Sequence, residues 1–117
     1  MRRVMIVDDA AFMRLTLKSI LEKSDFKVVG EAENGQIAVR RYVELSPDIV
    51  TLDITMPGMG GLEALREIRK IDSKAKVIMI SAMGQEGYVR EAIMCGARSF
   101  IVKPFTSEHV VKALTAI

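Results

Sequence analysis

Four apolar runs of strand length each end in side chains that could do chemistry together. The runs stop at Asp8-Asp9, at Asp53, at Ser81 and at Lys103. Carboxylates held close together repel one another, and a divalent cation relieves that repulsion. Mg²⁺ prefers oxygen ligands and keeps several waters, so two or three protein oxygens suffice to hold it. A metal and a lysine around one nucleophilic carboxylate meet the needs of phosphoryl transfer.

Each of these residues also has a plainer interpretation when it is taken alone. Pro57 and a glycine cluster follow Asp53, which could simply cap a turn. One member of the pair Asp8-Asp9 could cap the first amides of a following helix. Capping needs only one carboxylate, however, and the pair favours a site for a hard cation. As a set, the residues favour Asp53 as a nucleophile that accepts a phosphoryl group, with the Ser81 hydroxyl donating to a phosphoryl oxygen.

The elements that must position these side chains follow from hydrophobic periodicity. The continuous apolar run at 4–7 is too short for a helix and predicts a strand buried on both faces. From Ala10 the period changes, and Met13, Leu17 and Leu21 fall on one helical face, with Arg14 facing out. The same alternation recurs four times, predicting strands at 27–32, 49–53, 77–80 and 100–102 and helices at 37–45, 61–71, 88–95 and 107–117.

Alternating strands and helices predict an open parallel α/β sheet with helices on both faces and right-handed crossovers. The carboxyl ends of parallel strands share one edge of the sheet, where such folds bind their ligands. We therefore expect the acids, the hydroxyl and the ammonium group to meet there. The mixed polarity of residues 27–32 predicts an edge strand, but periodicity alone does not give the strand order.

The smaller polar features of the chain suggest structure more than chemistry. Ser107 is expected to cap the last helix. Asn34-Gly35 is expected to be a turn or a helix start, and turn chemistry alone would explain it. The basic pair Arg2-Arg3 and the acid Glu31 are expected to be solvated.

Composition limits the function classes. The chain has 117 residues, half of them hydrophobic and only 5% aromatic, which suits one domain with an aliphatic core. A net charge of +2 argues neither for nor against nucleic acid, but no basic helix-turn-helix follows Ile117, so we expect no nucleic-acid partner. The single cysteine, Cys95, excludes an intrachain disulfide. Without a leader or a membrane-length apolar run, we expect a cytoplasmic protein with no membrane partner.

The segments 7–14, 53–57 with Gly61, 81–82 and 100–105 resemble the motifs of response-regulator receiver domains in order and spacing, and the similarity runs from end to end. This resemblance implies a flavodoxin-like (βα)5 fold with a doubly wound five-stranded parallel sheet in the order 2-1-3-4-5. It also implies one receiver domain over residues 1–117, without an output domain.

The resemblance assigns a role to each acid. Asp53 matches the phosphoacceptor of the family. Asp8 and Asp9 match the pair that holds Mg²⁺ together with Asp53, and the backbone carbonyl of Thr55 matches the remaining protein ligand.

Other positions match the family's response machinery. Lys103 matches the lysine that pairs with the phosphoryl group, and Ser81 matches the switch hydroxyl. Phe100 matches an aromatic switch that is often Tyr; without a phenol hydroxyl, rotation of its ring would be sensed by packing alone. The Lys103–Pro104 bond matches one that is cis in the family.

By resemblance, the protein is a phosphorylation-activated switch of a two-component system rather than an enzyme, since it promotes only its own phosphorylation and dephosphorylation. Similarity to chemotaxis receivers implies a CheA-type histidine kinase as donor and the flagellar motor switch as target. The target would bind a face made of the fourth helix, fifth strand and fifth helix. The protein is expected to be a monomer, and a phosphatase is a further partner that the resemblance allows.

Three alternatives stay open on the residues. A phosphorelay receiver, or a receiver cut from a transcriptional regulator, would keep the switch outside chemotaxis. An aspartyl-phosphate hydrolase would need a second Asp two residues after the nucleophile, where this chain has Thr55. A flavin carrier would want a hydroxyl-rich phosphate loop after the first strand, and Asp8-Asp9 would instead repel phosphate.

Overall fold

Strands and helices alternate along the whole chain in the computed structural model, which describes residues 1–117. In order, they are β1 (Arg2–Val7), α1 (Ala11–Glu22), β2 (Phe26–Ala32), α2 (Gly35–Leu45), β3 (Ile49–Asp53), α3 (Gly61–Ile71), β4 (Val77–Ser81), α4 (Glu86–Met94), β5 (Ser99–Val102) and α5 (Ser107–Thr115). All strand pairs are parallel, and the sheet order is β2-β1-β3-β4-β5. The predicted fold class and strand order are confirmed, and β2 is an edge strand as expected.

The central strands are buried on both faces because helices cover both sides of the sheet. Every residue of β3 and of β4 is buried. Side chains such as Met5, Leu52 and Met79 pack with α2, α3 and α4, whereas Ile6 and Ile80 pack with α1 and α5 on the opposite face. Unbranched methionines fill the core in place of aromatics. None of the helices is both long enough and apolar enough to cross a bilayer.

Several helix starts differ from the sequence-based expectations. Thr106, not Ser107, caps α5, since its Oγ1 accepts from the His109 amide at 3.1 Å. Asn34 does more than form a turn, because its Oδ1 accepts from the Ile37 amide at 2.9 Å and caps α2. α4 begins at Glu86, two residues before the predicted start. Such boundaries depend on which neighbouring side chain reaches the free amides, which periodicity does not specify.

Arg2 and Arg3, which were expected to be solvated, are half-buried and hydrogen-bonded to helix ends. Arg2 donates to the carbonyls of Leu114 and Ile117, at the end of α5. Arg3 donates to the carbonyls of Leu45 and Ser46, both at 2.8 Å, at the end of α2. A guanidinium satisfies helix-terminal carbonyls that have no partner within the helix, and its charge is favourable at that end of the dipole. The two arginines thereby tie the start of β1 to a helix on each face of the sheet.

Gly61, the first residue of α3, lies against the backbone that carries Asp53. Its amide donates to the Ile54 carbonyl at 2.8 Å. A Cβ added to Gly61 would collide with the Asp53 carbonyl oxygen and would lie 2.8 Å from the Ile54 Cα. Only glycine allows α3 to approach the end of β3 this closely.

Replacing Gly61 with Ala is expected to destabilise the protein by about 2 kcal/mol or more, because backbone rather than a flexible side chain must move. Gly87→Ala is the matched control, since Gly87 lies in α4 and an added Cβ would meet nothing within 4 Å. There, Ala should be neutral or stabilising by up to about 1 kcal/mol. Urea unfolding midpoints measure both effects, and equal midpoints for the two variants would contradict the packing argument.

Candidate functional site

Three carboxylates converge at the carboxyl edge of the sheet. Carboxylate oxygens of Asp8, Asp9 and Asp53 lie within 4.8 Å of one another. Asp8 and Asp53 are 1% and 6% exposed, whereas Asp9 faces solvent. β1 and β3 are neighbours in the sheet, with Val7 beside Leu52, so residues that follow these two partners emerge side by side. An all-oxygen cluster open to solvent on one side fits a hard divalent cation.

Lys103 brings a positive charge to this cluster from the other end of the chain. Its Nζ lies 3.1 Å from Asp8 Oδ2 and 3.4 Å from Asp53 Oδ1. The Lys103 amide donates to the Ser81 carbonyl at 2.7 Å, so the parallel pairing with β4 continues one residue beyond β5 and fixes where the side chain starts. The Lys103–Pro104 bond is cis, as the resemblance implied.

Burial and mutual repulsion shape the titration of these groups. Burial and then the charge of Asp8 raise the pKa of Asp53 to about 6, while Lys103 acts in the opposite direction. Burial disfavours the charged form of Lys103, but the attraction of Asp53 and Asp8 outweighs it and raises the pKa of Lys103. One ammonium therefore compensates only part of the negative charge.

Arg14 stabilises the turn that carries the acid pair, although hydrophobic periodicity predicted that this side chain faces solvent. Its Nη1 donates to the Asp8 carbonyl at 2.6 Å, and its Nε lies 3.1 Å from Glu31 Oε1. Glu31 is thus paired with Arg14, although 39% of its side chain stays exposed. Ile6 lies beside Glu31 in the β1–β2 register, and only this register brings the acid near Arg14. No local sequence signal could have identified the pair.

Asp8 also organises its own turn. Its Oδ1 accepts from the Ala10 amide at 2.9 Å, whereas α1 has no side-chain cap at all. The capping interpretation of the acid pair is therefore wrong for the helix itself, because Asp8 closes the turn just before it.

Ser81 and Phe100 line the same cavity. Ser81 is buried at the end of β4, and its Oγ has no hydrogen-bond partner in the protein. Phe100 is 47% exposed, and both residues line a cavity of about 430 Å³ between α4 and β5 with Val89, Ile93 and Met94. The switch roles given to Ser81 and Phe100 stay predictions.

Gln85 connects the two loops beside Asp53, and the sequence analysis did not single it out. Its Nε2 donates to Thr55 Oγ1 at 2.7 Å, and its Oε1 accepts from the Ala82 amide at 2.7 Å. The side chain of Thr55 is thus engaged with Gln85, and the ligand role of its backbone carbonyl stays a prediction.

Comparison with known proteins agrees with this geometry. A model of the response regulator receiver domain matches residues 4–115. The chain belongs to the response regulator receiver domain family. It is 59% identical over 116 residues to the chemotaxis protein CheY of Thermotoga maritima, covering 99% of this chain and 97% of the relative. The CheY of Bacillus subtilis is 58% identical over 112 residues, covering 96% and 93%.

A solved relative shows the same receiver fold. The structure described as the CheX-CheY-BeF3-Mg+2 complex from Borrelia burgdorferi matches with a TM-score of 0.94 and 40% identity, over 98% of this chain and 87% of that chain. The receiver fold, and not only the motifs, is therefore shared along almost the whole chain.

Replacing Asp53 with Asn is expected to stabilise the metal-free receiver at neutral pH. The folded protein holds a proton on Asp53 up to about pH 6, against 3.8 in the unfolded chain, so the stability due to this group falls as pH rises through that interval. At about 1.4 kcal/mol per pKa unit, this pKa shift limits the gain in the free energy of unfolding to about 3 kcal/mol. Solvent near the carboxylates screens the charges and reduces the expected gain to about 1 to 2 kcal/mol.

Urea unfolding in EDTA at about pH 4 and about pH 7 tests this expectation, with a larger gain at the higher pH. Asp25→Asn is the control, because Asp25 is exposed and lies in a left-handed turn that Asn tolerates. A gain that is equal at both pH values, or equal in the control, would contradict the electrostatic account.

Proposed function

We propose that this receiver is a phosphorylation switch that accepts a phosphoryl group from a histidine kinase on Asp53. The observation that carries the proposal is the carboxylate cluster with Lys103 Nζ 3.4 Å from Asp53 Oδ1 at the end of a fully buried strand. Asp53 is held by the sheet, while its carboxylate lies at the edge where a donor can approach. The likeness to chemotaxis receivers supports the same role.

Mg²⁺ is the cofactor that the donor set fits best. Hard oxygen donors within 4.8 Å of one another, with a single neighbouring ammonium, leave a negative site that a small divalent cation would neutralise. The carboxylates of Asp8, Asp9 and Asp53 and the backbone carbonyl of Thr55 would hold the ion. When bound, the ion supplies charge neutralisation for the phosphoryl oxygens.

The protein's own side chains account for the transfer. A carboxylate oxygen of Asp53 forms a bond to phosphorus while the bond from phosphorus to the donor's imidazole nitrogen breaks, and the bonding pair leaves with that nitrogen. Lys103 lies beside the acceptor and would pair with the charged phosphoryl group. Ser81 Oγ, buried without a partner, has its proton free to donate to a phosphoryl oxygen.

The acceptor in this chemistry is the protein's own carboxylate, so we class the receiver as a switch that promotes only its own phosphorylation and dephosphorylation. The hydrolase alternative needs an acid–base carboxylate two residues after Asp53. Thr55 occupies that place and hydrogen-bonds Gln85, and a threonine hydroxyl cannot supply the function.

Incubation with acetyl phosphate and Mg²⁺ should add about 80 Da to the intact protein, the mass of one phosphoryl group. Asp53→Asn or EDTA should abolish the gain, whereas Asp25→Asn should keep it. Intact mass spectrometry makes the measurement. A gain that survives Asp53→Asn would place the phosphoryl group elsewhere and refute the assignment.

We further propose that the pathway is chemotaxis in the cytoplasm, with a CheA-type kinase as donor and the flagellar motor switch as target. Relatives named CheY support this, and the solved complex of CheX with CheY supports a CheX-like protein as a further partner, which we propose to be the phosphatase. The surface made of α4, β5 and α5, with α4's Met94 83% exposed, offers an apolar target site to a monomeric receiver.

Phosphorylation should tighten binding of a motor-switch peptide by at least about fivefold, the lower end of typical coupling between sites. Met94→Lys should weaken this binding, and Val43→Lys on α2 is the control, since Val43 is also an exposed apolar residue. Fluorescence anisotropy with and without acetyl phosphate measures both. An unchanged affinity would count against chemotaxis and favour a phosphorelay receiver or a receiver of a transcriptional regulator.

A further inference from the structure

The carboxamide of Gln85 bridges two loops that flank Asp53. It accepts from the backbone amide of Ala82, after β4, and donates to the hydroxyl of Thr55, after β3, with both distances 2.7 Å. Gly84, between Ala82 and Gln85, adopts φ of 88°, a left-handed conformation that turns the chain back. The half-buried Gln85 side chain thus holds the loop of residues 82–84 against the segment that follows β3.

The Ala82 amide faces the strand that carries the acceptor. In a parallel strand, successive residues direct their N–H and C=O groups alternately to the two neighbouring strands. The Ile80 carbonyl accepts from Ile54 after β3, and the Ser81 carbonyl accepts from Lys103 after β5. The next residue, Ala82, therefore directs its N–H back toward β3 and Asp53. The Gln85 carboxamide therefore accepts from a backbone N–H group, that of Ala82, which points toward Asp53.

A phosphoryl group on Asp53 would compete with Gln85 for this donor. A phosphoryl group brings three strong acceptor oxygens, and a charged acceptor forms a stronger hydrogen bond than a neutral carboxamide. The bond to Thr55 keeps the carboxamide in place over the gap between the loops. In the unmodified protein, the donor is therefore already satisfied, and phosphorylation must displace its partner.

We propose that Gln85 is a positioning residue that restrains phosphorylation by holding the Ala82 amide, an inference that rests on the proposed phosphoacceptor role of Asp53. Gln85 stabilises the unmodified arrangement of the β4–α4 loop and releases the amide when the phosphoryl group arrives. Thr55 acts with it, because the Thr55 hydroxyl orients the carboxamide. The side chain of Gln85 therefore sets how readily this receiver is modified.

Phosphorylation rates of variants test the proposal. Gln85→Ala should be modified by acetyl phosphate about 2- to 10-fold faster than the native protein, as expected for losing one competing hydrogen bond. Thr55→Ala should give a smaller increase, and the double variant should not exceed Gln85→Ala, because both substitutions disrupt one unit. Gln36→Ala is the matched control, since Gln36 is the other glutamine and is exposed on α2.

Amide hydrogen exchange provides a readout that needs no phosphoryl group. The Ala82 amide should exchange slowly in the native protein and in Gln36→Ala, and faster in Gln85→Ala, under conditions in which unfolding curves show all three proteins to be folded. Equal rates of modification and of exchange in all three proteins would overturn the role of Gln85. If acetyl phosphate did not modify even the native protein, the proposed function would fail instead, whatever the exchange rates.

Discussion

The constraint on which the structure depends is the crowding of three carboxylates that one ammonium only partly compensates. Asp8 and Asp53 are almost fully buried, and their oxygens lie within 4.8 Å of each other and of Asp9. Like charges at that distance would separate in a flexible chain. They stay together because β1 and β3 are neighbouring parallel strands buried on both faces. The free energy of packing these strands in the core offsets the electrostatic repulsion. A site held under such repulsion responds strongly to any added cation or anion.

The acceptor and its surroundings differ in rigidity. Asp53 ends a strand with no exposed residue, and Gly61 presses against its carbonyl, so the position of the acceptor is fixed by backbone contacts. Ala82, Met83 and Gly84 form an exposed loop held to the site chiefly through Gln85. Segments with few buried contacts rearrange at low free-energy cost. We therefore expect a change of charge at Asp53 to move the loop after β4 and to leave the sheet intact.

The parts of this arrangement that could be predicted from sequence are those carried by local pattern. Apolar runs that end in Asp9, Asp53 or Lys103 identified the strands and, through their shared direction, the meeting of the side chains. The strand order came from family resemblance, because periodicity is silent about which strands are neighbours. The cap of α5 was wrong by one residue because Thr106 and Ser107 are adjacent hydroxyls and either could reach the free amides.

Other parts could not be predicted because they depend on distances between elements far apart in sequence. Arg14 meets Glu31 only through the register of β1 with β2, and Arg2 meets Leu114 only after α5 has packed beside the sheet. Gln85 lies in what reads as a loose glycine-rich connection, and its role depends on the left-handed turn at Gly84. Side chains that contact the site residues from outside the site show no characteristic spacing in the sequence.

Ser81 belongs both to the carboxyl edge of the sheet and to the cavity between α4 and β5, so we expect any link from the site to the proposed partner surface to run through it. Its Oγ lies at the carboxyl edge of the sheet, and its side chain lines the same cavity as the half-exposed ring of Phe100. Moving an exposed aromatic ring into an apolar cavity is favoured by burial of its surface. A tyrosine would also have to desolvate its hydroxyl or find it a partner. Phenylalanine has no such requirement, so we expect any movement of the Phe100 ring to depend on the space beside Ser81 rather than on a hydrogen bond.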